Sequence, residues 1–374
     1  MRDTACRLLA VGAILLLFVP VWKASAHLDA QRASLSQLFL SADVVVIARI
    51  DKVAERRFVL NEASTSEQVV SARILDIYKG SAPQFVDFFQ DGHGHAHYVV
   101  GDTALLFLET FTTNADYAEI GSAAGVELVS RQVRNTEHRI QPGELPDYDW
   151  ILSTYATLGG STGISAEDRA RQLKEILLRM LGSSSAELVE SGLLDWEHAG
   201  NHIELTTGEL AELLALTRDP ARPVNLRLAT LRTMYRKQLV SDSAWVYLFQ
   251  HEPDDNITSV IRSTEGYEST MFMPYLIGLL NNRTDMIVEA AARALGHPAY
   301  AGAEVALESL LQRQSQRLNY AAVYGLVGLN SDKARGILLD AETNHPNPKV
   351  RRIISARMNT VGISPAGQSA SSQS

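Results

Sequence analysis

A segment of about 31 residues recurs along the C-terminal half of this 374-residue chain. Each copy opens on an apolar residue and repeats apolar positions at the three- and four-residue spacing of a helix. The copies begin at Val224, Ile257 (the weakest), Ile287, Leu318 and Val350. Because a unit of this length cannot bury its apolar face alone, the repeat predicts stacked helical hairpins that share a core between neighbours.

The residues between the copies predict the second helix of each hairpin. These partner helices are expected at 210–216, 271–280, 305–311 and 334–339. Alanine runs at 290–292 and 321–322 are small enough to let helices approach closely. Upstream, the pattern predicts a first helix that begins at Ala166 and ends at Gly182.

The copies resemble HEAT repeats over about 220–360. The segment 347–352 resembles the start of the second helix of such a repeat, and 289–296 resembles its body. The resemblance implies an α-solenoid whose surface binds a partner. The family usually carries an arginine after the first apolar residue, and here it appears only as Arg351. The other copies hold Asn225, Thr258, Val288 and Asn319. We therefore expect an irregular array whose helix ladder is satisfied in other ways.

Residues 41 to about 130 have the composition of strands. Apolar, β-branched or aromatic runs fall at 43–50, 69–78, 85–89 and 104–108, with glycines between them. Several strands in so short a stretch, joined by turns, predict a small closed or nearly closed barrel. A helical turn at 36–40 is expected to lead into the first strand. The predicted fold class is α+β and multidomain, a small N-terminal β-barrel followed by an α-solenoid.

Three short segments of this region come in a familiar order. They are 41–46, Ile-Tyr-Lys-Gly at 77–80, and 98–102 ahead of the apolar run 105–108. This order resembles the netrin-type, or inhibitor-of-metalloproteinase-like, oligonucleotide/oligosaccharide-binding (OB) barrel of secreted bacterial proteins, over roughly 35–125. Animal members of that family use an N-terminal cysteine and disulfides in recognition. Since this chain has neither, protease inhibition is not implied.

Between 131 and 163 the chain turns polar and rich in helix breakers, among them Pro146 and Gly159-Gly160. Tyr148, Ile151 and Tyr155 are apolar anchors within it, so we interpret the segment as a joint that packs on one module. The predicted domains are a signal peptide at 1–26, a barrel at 27–130, the joint or linker at 131–163, a solenoid at 164–362 and a disordered tail at 363–374.

The N-terminus has the order of a secretory signal peptide. Arg2 and Arg7 precede an apolar run at 8–21, and Ala24-Ser25-Ala26 supplies a small-x-small cleavage site before His27. The run is short for a permanent span, although an uncleaved membrane anchor is the alternative. We therefore expect a periplasmic or secreted protein with no stable membrane span after cleavage.

Cysteine and charge narrow the function classes. The single cysteine, Cys6, falls within the predicted signal, so the mature chain would carry no disulfide or thiolate metal site. Cleavage would change the formal net charge from −9 to about −11, which argues against a dedicated nucleic-acid or anionic-membrane binder. Basic residues gather only near the end, at Lys333, Arg335, Lys349, Arg351, Arg352 and Arg357. We expect these on a solvated face, with a functional basic patch as the alternative.

A cluster of imidazoles at 91–97 is the sharpest local feature. His93, His95 and His97 alternate, so they fall on one side of an extended chain and could meet one metal ion. Neutral imidazole suits zinc or copper, and Asp91 is the natural oxygen ligand. The intervening glycines fit both a loop curled around an ion and a flexible solvated turn, so both interpretations stay open.

Other patterns predict little chemistry. His27, if cleavage exposes it, could chelate copper through its amine and ring; the alternative is that cleavage merely happens to leave a histidine there. His198 and His202 lie four residues apart, but Gly200 interrupts the helix that a metalloprotease motif requires. The sequence shows no nucleophile elbow or phosphate loop. We therefore predict that the protein is not an enzyme, with an unrecognised site at the joint as the remaining enzymatic hypothesis.

Two functional hypotheses follow. The first is a secreted or periplasmic binding or scaffold protein, without a cofactor, whose solenoid surface engages another protein or an extracellular polymer and no nucleic acid. The second is a protein that binds or delivers copper or zinc through His93, His95 and His97.

Overall fold

The computed structural model of the chain describes residues 33–60, 63–90, 98–110, 128–130, 138–161, 163–198 and 203–360. The predicted signal peptide, the segment 91–97 and the predicted tail lie outside the described residues. The described protein is α+β, as predicted, with a sheet followed by helices. The chain divides into two compact units, Met1–Glu209 and Leu210–Ser374. No helix in the described ranges combines the length and the apolar character that a bilayer crossing needs.

The first unit begins with helix α1 (Leu35–Ser41) and a sheet. Its described strands are β1 (Val44–Leu60), β2 (Ala63–Lys79), β3 (Phe85–Gln90), β4 (Thr103–Thr110), β5 (Leu128–Ser130) and β6 (His138–Arg139). β1 pairs antiparallel with β2 and with β4, and β2 pairs antiparallel with β3. The short β5 pairs parallel with β3 and antiparallel with β4. The pairings β1–β2–β3–β5–β4–β1 therefore run in a closed cycle, and β6 adds to β4.

The four predicted strands and the helical turn before them are confirmed. The β1–β2 hairpin is longer than expected, because it continues through residues 51–60 and 63–68. Both faces of the sheet carry apolar side chains: Val46, Phe88 and Leu106 belong to one core, whereas Ile47 and Phe107 belong to another that includes helices. Burial on both faces explains why these strands show continuous apolar runs.

Helices α2 (Leu145–Gly160), α3 (Ala166–Gly182) and α4 (Ala186–His198) complete the first unit. Most of the described part of the predicted joint is helix α2. Pro146 lies in the first turn of this helix, where a proline removes no intrahelical hydrogen bond. Its Tyr148 and Ile151 are fully buried in one core with Ile176 and Met180 of α3. The compact units divide after Glu209, so α3 and α4 belong to the first unit.

The second unit is helical in its described part. Helix α5 (Thr207–Arg218) spans the division, and the others are α6 (Val224–Arg236), α7 (Asp242–His251), α8 (Asp254–Ser263), α9 (Met273–Leu279), α10 (Asp285–Ala294), a 3-10 turn (Pro298–Tyr300), α11 (Glu304–Leu311), α12 (Gln316–Leu329), α13 (Asp332–Asn344) and α14 (Pro348–Thr360). The helices predicted from the five copies and from the residues between them are confirmed. The sequence analysis did not name α7.

The helices of the second unit form two series. The five copies are α6, α8, α10, α12 and α14, and each packs against the next one in the series. We call these five helices the repeat row. The helices between them, α7, α9, α11 and α13, are the partner row, in which α7 packs on α9 and α11 on α13. Each repeat helix after α6 also packs on the partner helix that precedes it, so consecutive helices form hairpins.

Small residues let α10 and α12 approach closely, as predicted. Ala292 and Ala322 are fully buried at this contact. A Cβ added to Gly325 would lie 2.5 Å from the carbonyl oxygen of Ala292, and one added to Gly328 would lie equally close to the carbonyl oxygen of Gly296. Only glycine leaves room for the neighbouring backbone at these two positions.

Candidate functional site

The predicted metal ligands Asp91, His93, His95 and His97 lie outside the described residues, so the metal site stays a prediction. Among the residues that the structure describes, no group of three or more His, Cys, Asp or Glu side chains is placed to hold an ion. His198 contacts the carbonyl oxygen of Leu194 through Nδ1 at 2.6 Å, and His202 is not described.

Lys79 and Gly80, in one of the segments on which the barrel resemblance rests, make contacts that hold neighbouring elements together. Lys79 donates from Nζ to the carbonyls of Phe39 and Leu40, at 2.9 and 2.8 Å, in the last turn of α1. Gly80 has a φ of +72°, and a Cβ there would lie 2.4 Å from the carbonyl oxygen of Asp43. These residues therefore fix α1 and the start of β1 against the end of β2.

Asp195 of α4 is a partly buried carboxylate that collects hydroxyl groups. Ser36 of α1 and Tyr155 of α2 donate to its two oxygens. Burial raises the pKa of Asp195, and the hydrogen bonds from Ser34 and Ser36 oppose that rise without cancelling it. These hydrogen bonds tie α1, α2 and α4 together.

The structure corrects the alignment of the first copy. Leu226, not Val224, is the buried counterpart of Leu318, since Val224 is partly exposed as the first residue of α6. The residue that follows is therefore Arg227, which occupies the same position as Asn319 and Arg351. The arginine expected from HEAT repeats is thus present at two positions, not at Arg351 alone.

These polar residues satisfy groups at the ends of neighbouring helices. Arg227 makes a two-pronged ion pair with Glu252, the residue after α7, and donates from Nε to the carbonyl of Arg222 at 3.1 Å. Asn319 donates to the carbonyl of Leu311, at the end of α11, at 2.7 Å. Arg351 donates to the carbonyl that follows α13. The prediction that the ladder is satisfied in varied ways holds for these contacts.

A partly exposed group of charged and aromatic side chains crosses three helices of the repeat row. The guanidinium carbons of Arg293 (α10) and Arg357 (α14) lie 4.8 and 4.3 Å from the ring centroid of Tyr324 (α12). Glu289 of α10 accepts hydrogen bonds from Arg293 at 2.9 Å and from Arg317 of α12 at 2.5 Å. We call these five residues the arginine–tyrosine cluster.

The electrostatics of the cluster favour ionised side chains. Burial tends to raise the pKa of Glu289, but the hydrogen bonds and charges of Arg317 and Arg293 outweigh it and hold the pKa below its ordinary value. Arg357 donates to the hydroxyl of Tyr324, which keeps the guanidinium beside the ring. The side chains of Arg293 and Arg317 are 54% and 57% exposed, so these fixed positive charges face solvent.

Charge separates the two series of helices. The repeat row carries ten Lys or Arg residues and four Asp or Glu residues. The partner row carries two Lys or Arg residues and six Asp or Glu residues. The repeat row is therefore basic within an acidic chain. A second arginine–tyrosine contact lies in the first copy, where the guanidinium carbon of Arg232 of α6 is 5.8 Å from the ring centroid of Tyr267.

A shallow cleft of about 340 Å³ also opens near α7. Tyr235 and Asp242 line it, and the tyrosine hydroxyl donates to the carboxylate at 2.5 Å. Burial and this hydrogen bond raise the pKa of Tyr235 to about 12. Ser269 donates to the other oxygen of Asp242, so both oxygens of this carboxylate accept hydrogen bonds within the protein.

Part of the arginine–tyrosine cluster was accessible from sequence. Arg357 was among the basic residues noted near the C-terminus, but Glu289, Arg293, Arg317 and Tyr324 were missed. With the first copy starting at Leu226, the column six residues after each start holds Arg232, Ser263, Arg293, Tyr324 and Ala356, and two of these belong to the cluster. No protein-family model matches the chain, and no curated protein matches it.

Proposed function

We propose that this protein is a secreted or periplasmic binding protein without enzymatic activity, and that the repeat row is its binding surface. In this proposal the second unit is an α-solenoid of HEAT-like hairpins, supported by the packing of each copy on the next. The first unit is an OB-type barrel of the netrin type. The closed cycle of five strand pairings supports it, since OB barrels are five-stranded and closed or partly open.

One observation carries the proposal: the repeat row is basic and bears the arginine–tyrosine cluster, whereas the partner row is acidic. Solvation alone favours interspersed charges of both signs. A surface of one sign on an oppositely charged molecule steers an approaching partner to that surface. Arginine and tyrosine are also enriched where proteins bind partners.

The order of basic, apolar and small residues at the N-terminus supports secretion. The alternating imidazoles support a second function, the binding of zinc or copper by His93, His95 and His97, with Asp91 as a further ligand.

The binding function is tested by photo-crosslinking in the cells that make the protein. A photoreactive amino acid replaces Met286, which is 53% exposed and lies on the same face of α10 as Arg293. The matched control replaces Val305 of α11, in the partner row, which is 52% exposed. We expect a discrete adduct from position 286 and none from position 305. Equal labelling from both positions, or no adduct from either, would contradict the proposal.

A further inference from the structure

We propose that the partner of the repeat row is a protein that presents an acidic segment, whose carboxylates bind the guanidinium groups of Arg293, Arg317 and Arg357. This inference rests on the proposed binding function and adds the chemistry of the partner. It starts from the imbalance of the arginine–tyrosine cluster, in which three guanidinium groups face a single carboxylate, Glu289.

The guanidinium groups retain hydrogen-bonding capacity. Each has five N–H donors in a planar fork. Within the cluster, Arg293 and Arg317 each use one donor on Glu289, and Arg357 uses one on the hydroxyl of Tyr324. The planar fork matches the two oxygens of a carboxylate, which makes aspartate and glutamate side chains fitting ligands.

The cluster also fixes its arginines before a partner arrives. Glu289 holds Arg293 and Arg317 from one side, and the ring of Tyr324 lies under Arg293 and Arg357. A free arginine loses much rotamer freedom when it binds, whereas these side chains are already held. Pre-positioned charges on neighbouring helices favour a ligand with several carboxylates over a single small anion.

The same contacts disfavour a polysaccharide or a nucleic acid. Both of these polymers use stacking on exposed aromatic rings, as bases do on single-strand binders. Two guanidinium groups occupy positions over the ring of Tyr324, which reduces the ring surface open to stacking. The guanidinium groups of Arg293 and Arg317 are exposed, and that of Arg357 is partly exposed. Arginine and tyrosine are also residues that dominate the binding energy of protein–protein interfaces.

Long-range charge directs an acidic segment to this surface. The chain has a formal net charge of −9, and the partner row has more acidic than basic residues. An acidic partner is therefore repelled elsewhere and attracted at the repeat row. Such complementarity raises the association rate and suppresses wrong orientations.

The test measures binding of two labelled peptides to the full-length mature protein by fluorescence anisotropy. One peptide alternates Glu and Ala, and the other alternates Lys and Ala. The test variant is Arg293→Gln with Arg357→Gln, and the control is Arg335→Gln on α13 of the partner row. Thermal unfolding followed by circular dichroism establishes that each variant is folded. Arg317→Gln, whose side chain is the most exposed of the three, repeats the test if the double variant is unstable.

We expect the Glu peptide to bind and the Lys peptide not to bind, with affinity that falls as salt rises. The double variant should weaken binding roughly tenfold or more, as expected for loss of charge-assisted contacts, and Arg335→Gln should leave it unchanged. Absence of Glu-peptide binding, or equal binding by the double variant, overturns the inference.

An anionic polysaccharide, alginate, gives the competing arm of the test. If alginate binds more tightly than the Glu peptide and loses affinity in the same double variant, the ligand is a polymer and the inference is overturned. The crosslinking result is independent of these arms. If position 286 gives an adduct but the double variant binds the Glu peptide as tightly as the wild type does, the proposed binding function is supported. Only the inference of an acidic partner is then overturned.

Discussion

At the end of α11, the carbonyl of Leu311 accepts hydrogen bonds from two side chains. Asn319 donates from Nδ2 at 2.7 Å, and His345 lies within reach through Nε2 at 2.9 Å. The last carbonyls of a helix have no partner within the helix, and buried ones need partners elsewhere. These polar side chains therefore provide hydrogen-bond donors to the carbonyl at the C-terminal end of α11, which has no acceptor role within the helix.

Sequence alone could not assign that role correctly. Apolar spacing located every copy, but it placed the first one two residues early, because Val224 and Leu226 both fit a helical period. As a result, Arg227 went unrecognised as the counterpart of Arg351. Only burial distinguishes the two alignments: Leu226 is 3% exposed and Val224 is partly exposed.

Gly80 gives a prediction for a single backbone position. Its φ of +72° and the 2.4 Å approach of an added Cβ to the carbonyl oxygen of Asp43 both oppose a side chain. We expect Gly80→Ala to lower the free energy of unfolding by about 2 kcal/mol or more, from left-handed strain and the clash together. Urea unfolding measures the change. Gly143→Ala, where an added Cβ meets open space, is the control and should have little effect.

The imidazole cluster gives a prediction outside the described residues. We expect the metal-stripped mature protein, without an affinity tag, to bind one zinc or copper ion through His93, His95 and His97. In an extended chain, their alternation would bring three neutral imidazoles to one side, where they could bind one ion. Calorimetric titration checks this prediction next to a variant with alanine at all three positions. Binding that survives in the variant would exclude the cluster as the site.

At the scale of elements, the ion pair between α6 and the end of α7 is the most buried one described. The side chains of Arg227 and Glu252 are 3% and 6% exposed, and Asn256 also donates to the carboxylate. Removing one member of such a pair leaves the other charge buried without compensation. This contact ties α6 to the C-terminal end of α7.

The pair predicts a pH dependence. The hydrogen bond from Arg227 holds the pKa of Glu252 below its ordinary value, in spite of burial. A carboxyl group with a lowered folded-state pKa stabilises the protein above its unfolded pKa of about 4.3, and that stability is lost as the pH falls through the folded-state pKa. We expect Glu252→Gln to lower the free energy of unfolding at pH 7 by about 3 kcal/mol.

Urea unfolding at pH 7 and at about pH 3 measures both effects. The difference in stability between wild type and Glu252→Gln should shrink as the pH falls, because protonation removes the same charge as the substitution. Glu308→Gln, on the exposed face of α11, is the control. A difference that stays constant with pH would show that the charge of Glu252 is not what stabilises the contact.

Element type was predictable where a periodic pattern was long, as in α3, whose bounds agree with the prediction. It was less predictable in 145–160, where Pro146 and Gly159-Gly160 indicated a joint although they lie at the two ends of α2. Breakers at helix ends and breakers in loops look alike in sequence. The burial of Tyr148 and Ile151 distinguishes them, and it depends on residues far along the chain.

At the scale of the whole molecule, the sequence predicted a sheet followed by helices, and this order is confirmed. Helices α3 and α4 look like the start of the repeat array, yet Ile176, Met180 and Leu188 share a core with the sheet and α2. Contacts at long sequence separation decide which core a helix joins. The charge difference between the rows was also hidden, because it appears only when alternate helices are grouped.

Fragments test the division. We expect residues 33–209 to unfold cooperatively on heating, because this fragment keeps the core that α2, α3 and α4 share with the sheet. Residues 33–163 should lack a cooperative transition, since loss of α3 and α4 exposes Tyr148 and Ile151. Circular dichroism during thermal unfolding separates the two results. An equally cooperative transition in the shorter fragment would show that the barrel needs only α2.

The binding function of the repeat row is tested most directly by hydrogen–deuterium exchange of the full-length mature protein, with and without the partner identified through the adduct at position 286. The account predicts slower exchange in the exposed positions of α10, α12 and α14 when the partner is bound, with α11 and α13 unchanged. Protection confined to the partner row, or to residues 33–209, would contradict it.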